Sequence, residues 1–169
     1  MTHSSHSSAF APAQVRGGST RLVGMSRDEL RAFVQEMGEP KFRAKQLWHW
    51  LYHHGATDFG EMSTLAKGFR ERLADTATAE RPIVKTDQVS EDGTRKWLVV
   101  LPDLQEVEAV YIPEPDRGTL CVSSQVGCTL SCRFCHTGTQ RLVRNLSAGE
   151  VLGQVMMARD ALGEWPTPK

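Results

Sequence analysis

Residues 118–145 read GTLCVSSQVGCTLSCRFCHTGTQRLVRN, and all four cysteines of the chain, Cys121, Cys128, Cys132 and Cys135, fall inside them. The last three follow a Cys-x3-Cys-x2-Cys spacing. Thr119 to Val122 read as a short strand leading into this cysteine loop. Beyond the loop, Ser147 and Glu150 make the serine–glutamate pair of a capping box. A helix is therefore predicted there, with Val151, Leu152, Val155, Met156 and Leu162 as its buried stripe. Strand, loop and helix together form one unit of the βα kind.

A disulfide scaffold would spread its cysteines along the chain, whereas these are crowded into one loop. Such crowding points to metal binding or thiol chemistry in a reducing compartment. Three thiolates on one short loop can wrap three corners of an iron–sulfur cubane, commonly held by four cysteines, and so leave one iron open to a small molecule. Phe134, directly before the last cysteine, can shield such a cluster from water. The competing reading is a structural zinc site made by Cys128, Cys132, Cys135 and His136. Adjacent Cys135 and His136 would strain to occupy two corners of one tetrahedron, and zinc motifs usually come as two separated pairs. The cluster is the better reading.

Upstream, the pattern is helical. Ser26 and Glu29 form a capping box that opens a helix to about Met37, with Leu30, Phe33 and Val34 on one face. Gly38 and Pro40 punctuate the chain, and Pro40 suits the first turn of a second helix. That helix has the apolar face Ala44, Leu47, Trp48 and Leu51 and ends at Gly55. Leu65, Phe69 and Leu73 mark a third. The period then changes. Val84 to Val89, Arg95 to Leu101 and Val107 to Ile112 read as strands joined by turns at Glu91-Asp92-Gly93 and Pro102-Asp103, a β-meander. Pro113-Glu114-Pro115-Asp116 reads as a stiff linker. The predicted organisation is a flexible tail (1–20), a helical accessory domain (21–82), a β-meander (83–113) and the start of a catalytic domain (114–169). The fold class is α+β passing into α/β, with a small helical N-terminal domain, a short antiparallel β-segment and the first strand–loop–helix unit of a partial barrel.

The stretch from Gly118 to Asn145 closely resembles the radical S-adenosylmethionine (SAM) adenine-C2 RNA methyltransferases, the RlmN and Cfr family. The resemblance extends to Lys41-Phe42-Arg43-Ala44-Lys45-Gln46, to Trp50-Leu51-Tyr52, and to the strand Glu106 to Pro113. It implies a 4Fe–4S cluster on Cys128, Cys132 and Cys135, with SAM on the open iron. It implies methylation of C2 of an adenine in large-subunit ribosomal RNA and in some transfer RNAs, through a methyl group carried on a late cysteine. Cys121 matches the family's second thiol, which releases the product through a transient disulfide, and Glu108 matches its proton acceptor. Read alone, Cys121 would be a small buried hydrophobe and Glu108 a solvated strand residue. The resemblance further implies RNA partners, an electron donor such as flavodoxin, a cytoplasmic monomer at full length and no membrane.

No cysteine follows Cys135, and 52 residues run from Gly118 to Lys169, against the ~200 or more of a full eight-fold barrel. The chain is therefore expected to be an N-terminal portion, inactive by itself, with exposed apolar surface at Val151, Val155 and Met156 and poor solubility. The bland alternative for the whole chain is a non-catalytic, zinc-stabilised RNA-binding module.

The bulk composition excludes little. Basic and acidic residues balance at 20 each, so net charge lends no support to an RNA partner, although a local patch can coexist with a neutral total. Lys41, Arg43 and Lys45 form a basic stretch that reads equally as an RNA contact or a solvated helix face. Met1 to Ser19 lack the basic and apolar regions of a signal peptide. His49 and His53 share a helix face, but no third ligand is evident, so His49, His53 and His54 read as surface residues.

Overall fold

The computed structural model describes residues 18–129 and 140–166. The helical region holds α1 (Arg27–Glu36), α2 (Phe42–Tyr52), a 3-10 turn (Phe59–Glu61) and α3 (Lys67–Thr76). The Ser26 hydroxyl accepts from the Glu29 N–H, and the Glu29 carboxylate accepts from the Ser26 N–H, so the first helix starts where the capping box places it. Leu30, Val34, Ala44, Leu47, Leu51, Phe69 and Leu73 are buried in one core. This is the outcome expected when amphipathic stripes of three short helices face one another. Two short strands, β1 (Thr20–Arg21) and β2 (Ala77–Thr78), pair in parallel and tie the two ends of this region together.

The second region is an antiparallel sheet in the order β3 (Ile83–Val89), β4 (Arg95–Val100), β5 (Glu106–Pro113) and β6 (Gly118–Cys121). The strand expected to open a barrel is the fourth strand of this sheet, with Val110 opposite Cys121 and Pro113 opposite Gly118. The Pro113–Asp116 segment is the reason. The Glu114 N–H donates to the Arg117 carbonyl at 2.8 Å and the Arg117 guanidinium bonds the Glu114 carboxylate at 2.6 Å, so the segment turns the chain back on itself.

Trp97, Val99, Val107 and Ala109 point to one face of the sheet and are buried. Helix α4 (Ala148–Leu162) covers that face with Met157, Ala158 and Ala161. Of the predicted stripe, Met156 is buried, at 2% exposed, while Val151, Leu152, Val155 and Leu162 are only half-buried. This corrects the expectation of an open apolar patch at Val151, Val155 and Met156. The helix is apolar around most of its circumference, so packing rather than periodicity selects its inner face. Leu152, Val155 and Met156 line a cleft, about 750 Å³, shared with Trp48 and Tyr52 of α2. The helical region approaches α4 closely at Gly24. Gly24 has φ +98°, and a Cβ there would lie 2.3 Å from the Cα of Gly149, so only glycine fits. Among the described residues, no helix is long and apolar enough to cross a membrane.

Candidate active site

Three segments converge on the cysteine loop. Strand β7 (Gln125–Val126) pairs antiparallel with β8 (Arg144–Asn145), so the chain enters and leaves the loop side by side. Gly127 turns the entry with φ +73°, and a Cβ there would lie 2.1 Å from the Arg141 carbonyl oxygen. Any side chain would both demand the left-handed region and force the two strands apart. The Cys128 N–H then donates to the Gln140 carbonyl at 3.1 Å, and the Val143 N–H to the Val126 carbonyl at 2.9 Å. The neck of the loop is thus closed by backbone hydrogen bonds. Cys128 sits at the neck, half-buried. Cys132 and Cys135, with Phe134 and His136, lie outside the described residues.

Two side chains that the sequence pattern does not single out hold this neck to α4. Gln154 is fully buried. Its Oε1 accepts from the Ser123 N–H at 2.9 Å and its Nε2 donates to the Ser123 carbonyl at 2.9 Å. One amide therefore satisfies both backbone groups of the residue that links β6 to β7. A glutamine inside an otherwise apolar helical run was the available signal. Arg144 makes a two-pronged pair with Glu150, at 2.9 Å and 2.7 Å, and also bonds Asp103 at 2.8 Å. Glu150 simultaneously accepts from the Ser147 N–H at 2.7 Å. Burial pushes the Glu150 carboxyl up, but hydrogen bonds from Arg144 and Ser147 outweigh it, and the carboxyl lies below its ordinary range. Hydrogen bonding to Arg144 likewise lowers Asp103, and the Glu150 and Asp103 carboxylates raise the Arg144 guanidinium.

Glu108 and Cys121 stand on the outer face of the sheet, opposite α4. Cys121 is opposite Val110, two residues from Glu108, so both side chains project from the same face of neighbouring strands. Both are exposed, so Cys121 is not the buried hydrophobe that its strand position alone would favour. Lys96 lies 3.1 Å from the Glu108 carboxylate, and the Glu108 carbonyl accepts from the Ser123 hydroxyl at 2.8 Å. Ser123 therefore connects the strand carrying Glu108 to the residue clamped by Gln154. The structure brings Glu108 and Cys121 to one surface and places Cys128 at the loop neck a few residues further on.

The histidines depart from expectation. His49, His53 and His54 bring ligand nitrogens within 4.8 Å of one another. The third imidazole arrives because the His54 N–H, like that of His53, bonds back to the His49 carbonyl. Burial, and then the neighbouring His49 and His53, hold the His54 imidazole below its ordinary pKa.

Known proteins match this arrangement. Residues 20–79 match the ribosomal RNA large subunit methyltransferase N-terminal domain. The chain is 65% identical over 147 residues to the dual-specificity RNA methyltransferase RlmN of Rhodospirillum rubrum, covering 87% of this chain and 34% of that protein. It is 57% identical over 166 residues to RlmN of Gluconobacter oxydans, covering 96% and 41%. A solved radical SAM methyltransferase from Sphaerobacter thermophilus superposes with a TM-score of 0.76 at 38% identity, over 85% of this chain and 42% of that one. The chain spans roughly a third to two fifths of the length of these relatives. Its helical region thus matches the ribosomal RNA large subunit methyltransferase N-terminal domain, and 87–96% of the chain is similar to 34–41% of the length of RlmN dual-specificity RNA methyltransferases.

Proposed function

We propose that this chain supplies the cluster ligands and two reactive groups of a radical SAM enzyme. Its reaction would be methylation of C2 of adenine in large-subunit ribosomal RNA and in some transfer RNAs. The observation that carries the proposal is the closed neck at Cys128. Backbone hydrogen bonds pin the neck and fix Cys128 where the cysteine motif begins. Three thiolates on one short loop suit a 4Fe–4S cluster with one iron left for SAM. When bound, the cluster and SAM supply the hydrogen-abstracting radical that an unreactive ring carbon requires.

The chain's own residues divide the remaining work. Arg144, Glu150 and Gln154 hold the loop neck on α4. Glu108, positioned by Lys96, accepts a proton from the substrate base. Cys121 offers an exposed thiol for product release: its thiolate would attack the sulfur of the methyl-carrying cysteine that the reaction requires, so that an S–S bond forms as the C–S bond to the methylated base breaks and its electron pair stays with the base. Arg27, Arg31, Lys41 and Lys45 line a cleft of about 800 Å³ beside Trp48 on the helical region, a basic surface suited to RNA phosphates. In this reading residues from about 122 onward begin the first strand–loop–helix unit of a barrel, and the protein works in the cytoplasm as a monomer with a flavodoxin-like electron donor.

The test is product analysis. A polypeptide extending this sequence to the length of its relatives is loaded with cluster and incubated anaerobically with SAM, a reductant and ribosomal RNA. Mass spectrometry of the digested RNA should show 2-methyladenosine, lost in Glu108→Gln and Cys121→Ala. A cluster-loaded protein that yields methylation elsewhere, or none, contradicts the proposal.

A further inference from the structure

The histidine cluster on α2 uses none of the cysteines, and His49 and His53 border the basic cleft assigned above to RNA. His49 and His53 are one turn apart on the helix and stack with ring centroids 4.5 Å apart. His54 lies past the helix end, with its ring 4.6 Å from that of His49 and 5.2 Å from that of His53. Its Nδ1 is buried and has no hydrogen-bond partner, so a lone-pair or proton position there is unused. Trp50 packs on the other side of His54 at 4.7 Å and limits where that ring can go. Two exposed imidazoles thus face a third that is held in place.

We propose that His49, His53 and His54 form a binding site for a divalent transition metal, zinc above all. Neutral imidazole is a common ligand for zinc, and three protein nitrogens leave a fourth position open. Zinc–nitrogen bonds of about 2.0–2.1 Å require the ligand atoms to approach more closely than the 4.8 Å limit now separating them. Rotation of the exposed His49 and His53 rings supplies that approach without backbone movement. The site sits at the C-terminal end of α2, where the helix dipole favours positive charge. Arg27, Arg31, Lys41 and Lys45 line the same cleft as His49 and His53. These cations oppose a bare divalent ion, so an anion is the fitting fourth ligand.

The experiment uses the full chain with Cys128, Cys132 and Cys135 changed to serine, which removes the competing thiolate site. Zinc chloride is titrated calorimetrically, and far-ultraviolet circular dichroism verifies the fold. One zinc per chain should bind, and His53→Asn or His49→Gln should each weaken binding at least tenfold with the fold unchanged. Both residues are exposed, so neither change threatens folding. Imidazole nitrogen resonances of all three histidines should shift on zinc addition. Absence of saturable binding overturns the site, as does zinc affinity that stays within twofold in both variants.

Discussion

The helical region and the sheet close their cores differently, and the difference locates the chemistry. In the helical region α1, α2 and α3 enclose a core from all sides, with Leu22, Val34, Leu47, Leu51 and Leu73 fully buried. Among the described residues, the sheet is covered on one face only. Trp97, Val99 and Ala109 are fully buried under α4, while every residue of β3 is exposed and the outer face carries Lys96, Glu108 and Cys121. Side chains on a closed core serve stability, whereas those on an uncovered face can meet ligands. Glu108 and Cys121 stand on the uncovered face, and Cys128 stands at the neck of the loop beside it.

That contrast can be broken or sharpened by substitution, the largest effect coming from the closed core. Phe69 is 1% exposed, and Phe69→Ala should destabilise the chain by about 3–5 kcal/mol through lost burial and a cavity, read from urea unfolding. Next comes the loop neck. Gly127→Val should cost about 1–3 kcal/mol or more from left-handed strain alone. It should also abolish iron uptake, because its side chain would open the bonds at Cys128. Gln154→Leu should cost about 1–3 kcal/mol by leaving the partly buried Ser123 N–H and carbonyl without partners. A Gln154→Leu variant as stable as the parent would show that the neck does not depend on α4. Glu108→Gln should change stability by less than about 0.5 kcal/mol while removing activity from the full-length enzyme. A large loss of stability there would place Glu108 with the structural residues instead.

A pH experiment addresses the same seam. The Glu150 carboxyl is held below its ordinary value of 4.5, so its ionised form stabilises the fold at neutral pH. That contribution is fully present above about pH 4.5 and is lost as pH falls through the lower folded-state value. The urea midpoint should therefore fall as pH drops below about 4.5, and Glu150→Gln should flatten that part of the profile.

Much of this was legible in the sequence, for identifiable reasons. Both capping boxes, Ser26 with Glu29 and Ser147 with Glu150, form as read, because the signal is local and the partners are three residues apart. The strands of the sheet also lie where period-two patterning puts them. What escapes the sequence depends on long-range packing. The two-residue strands β1, β2, β7 and β8 are too short to show a period. The inner face of α4 differs from the predicted stripe because the helix is apolar nearly all round, and contact with Trp97 and its neighbours decides which side is covered. His54 joins His49 and His53 only through the turn closed on the His49 carbonyl, which no helical spacing reveals. Cys128 sits at the closed neck of its loop, and Glu108 and Cys121 share one face of the sheet.

Cluster binding is the claim on which the functional account turns, and anaerobic reconstitution of the chain with iron and sulfide tests it most directly. The account predicts about four irons per chain, a broad visible absorption band, and an electron paramagnetic resonance signal after reduction that changes when SAM is added. Stoichiometric zinc held by the cysteines, with no iron uptake, would contradict it.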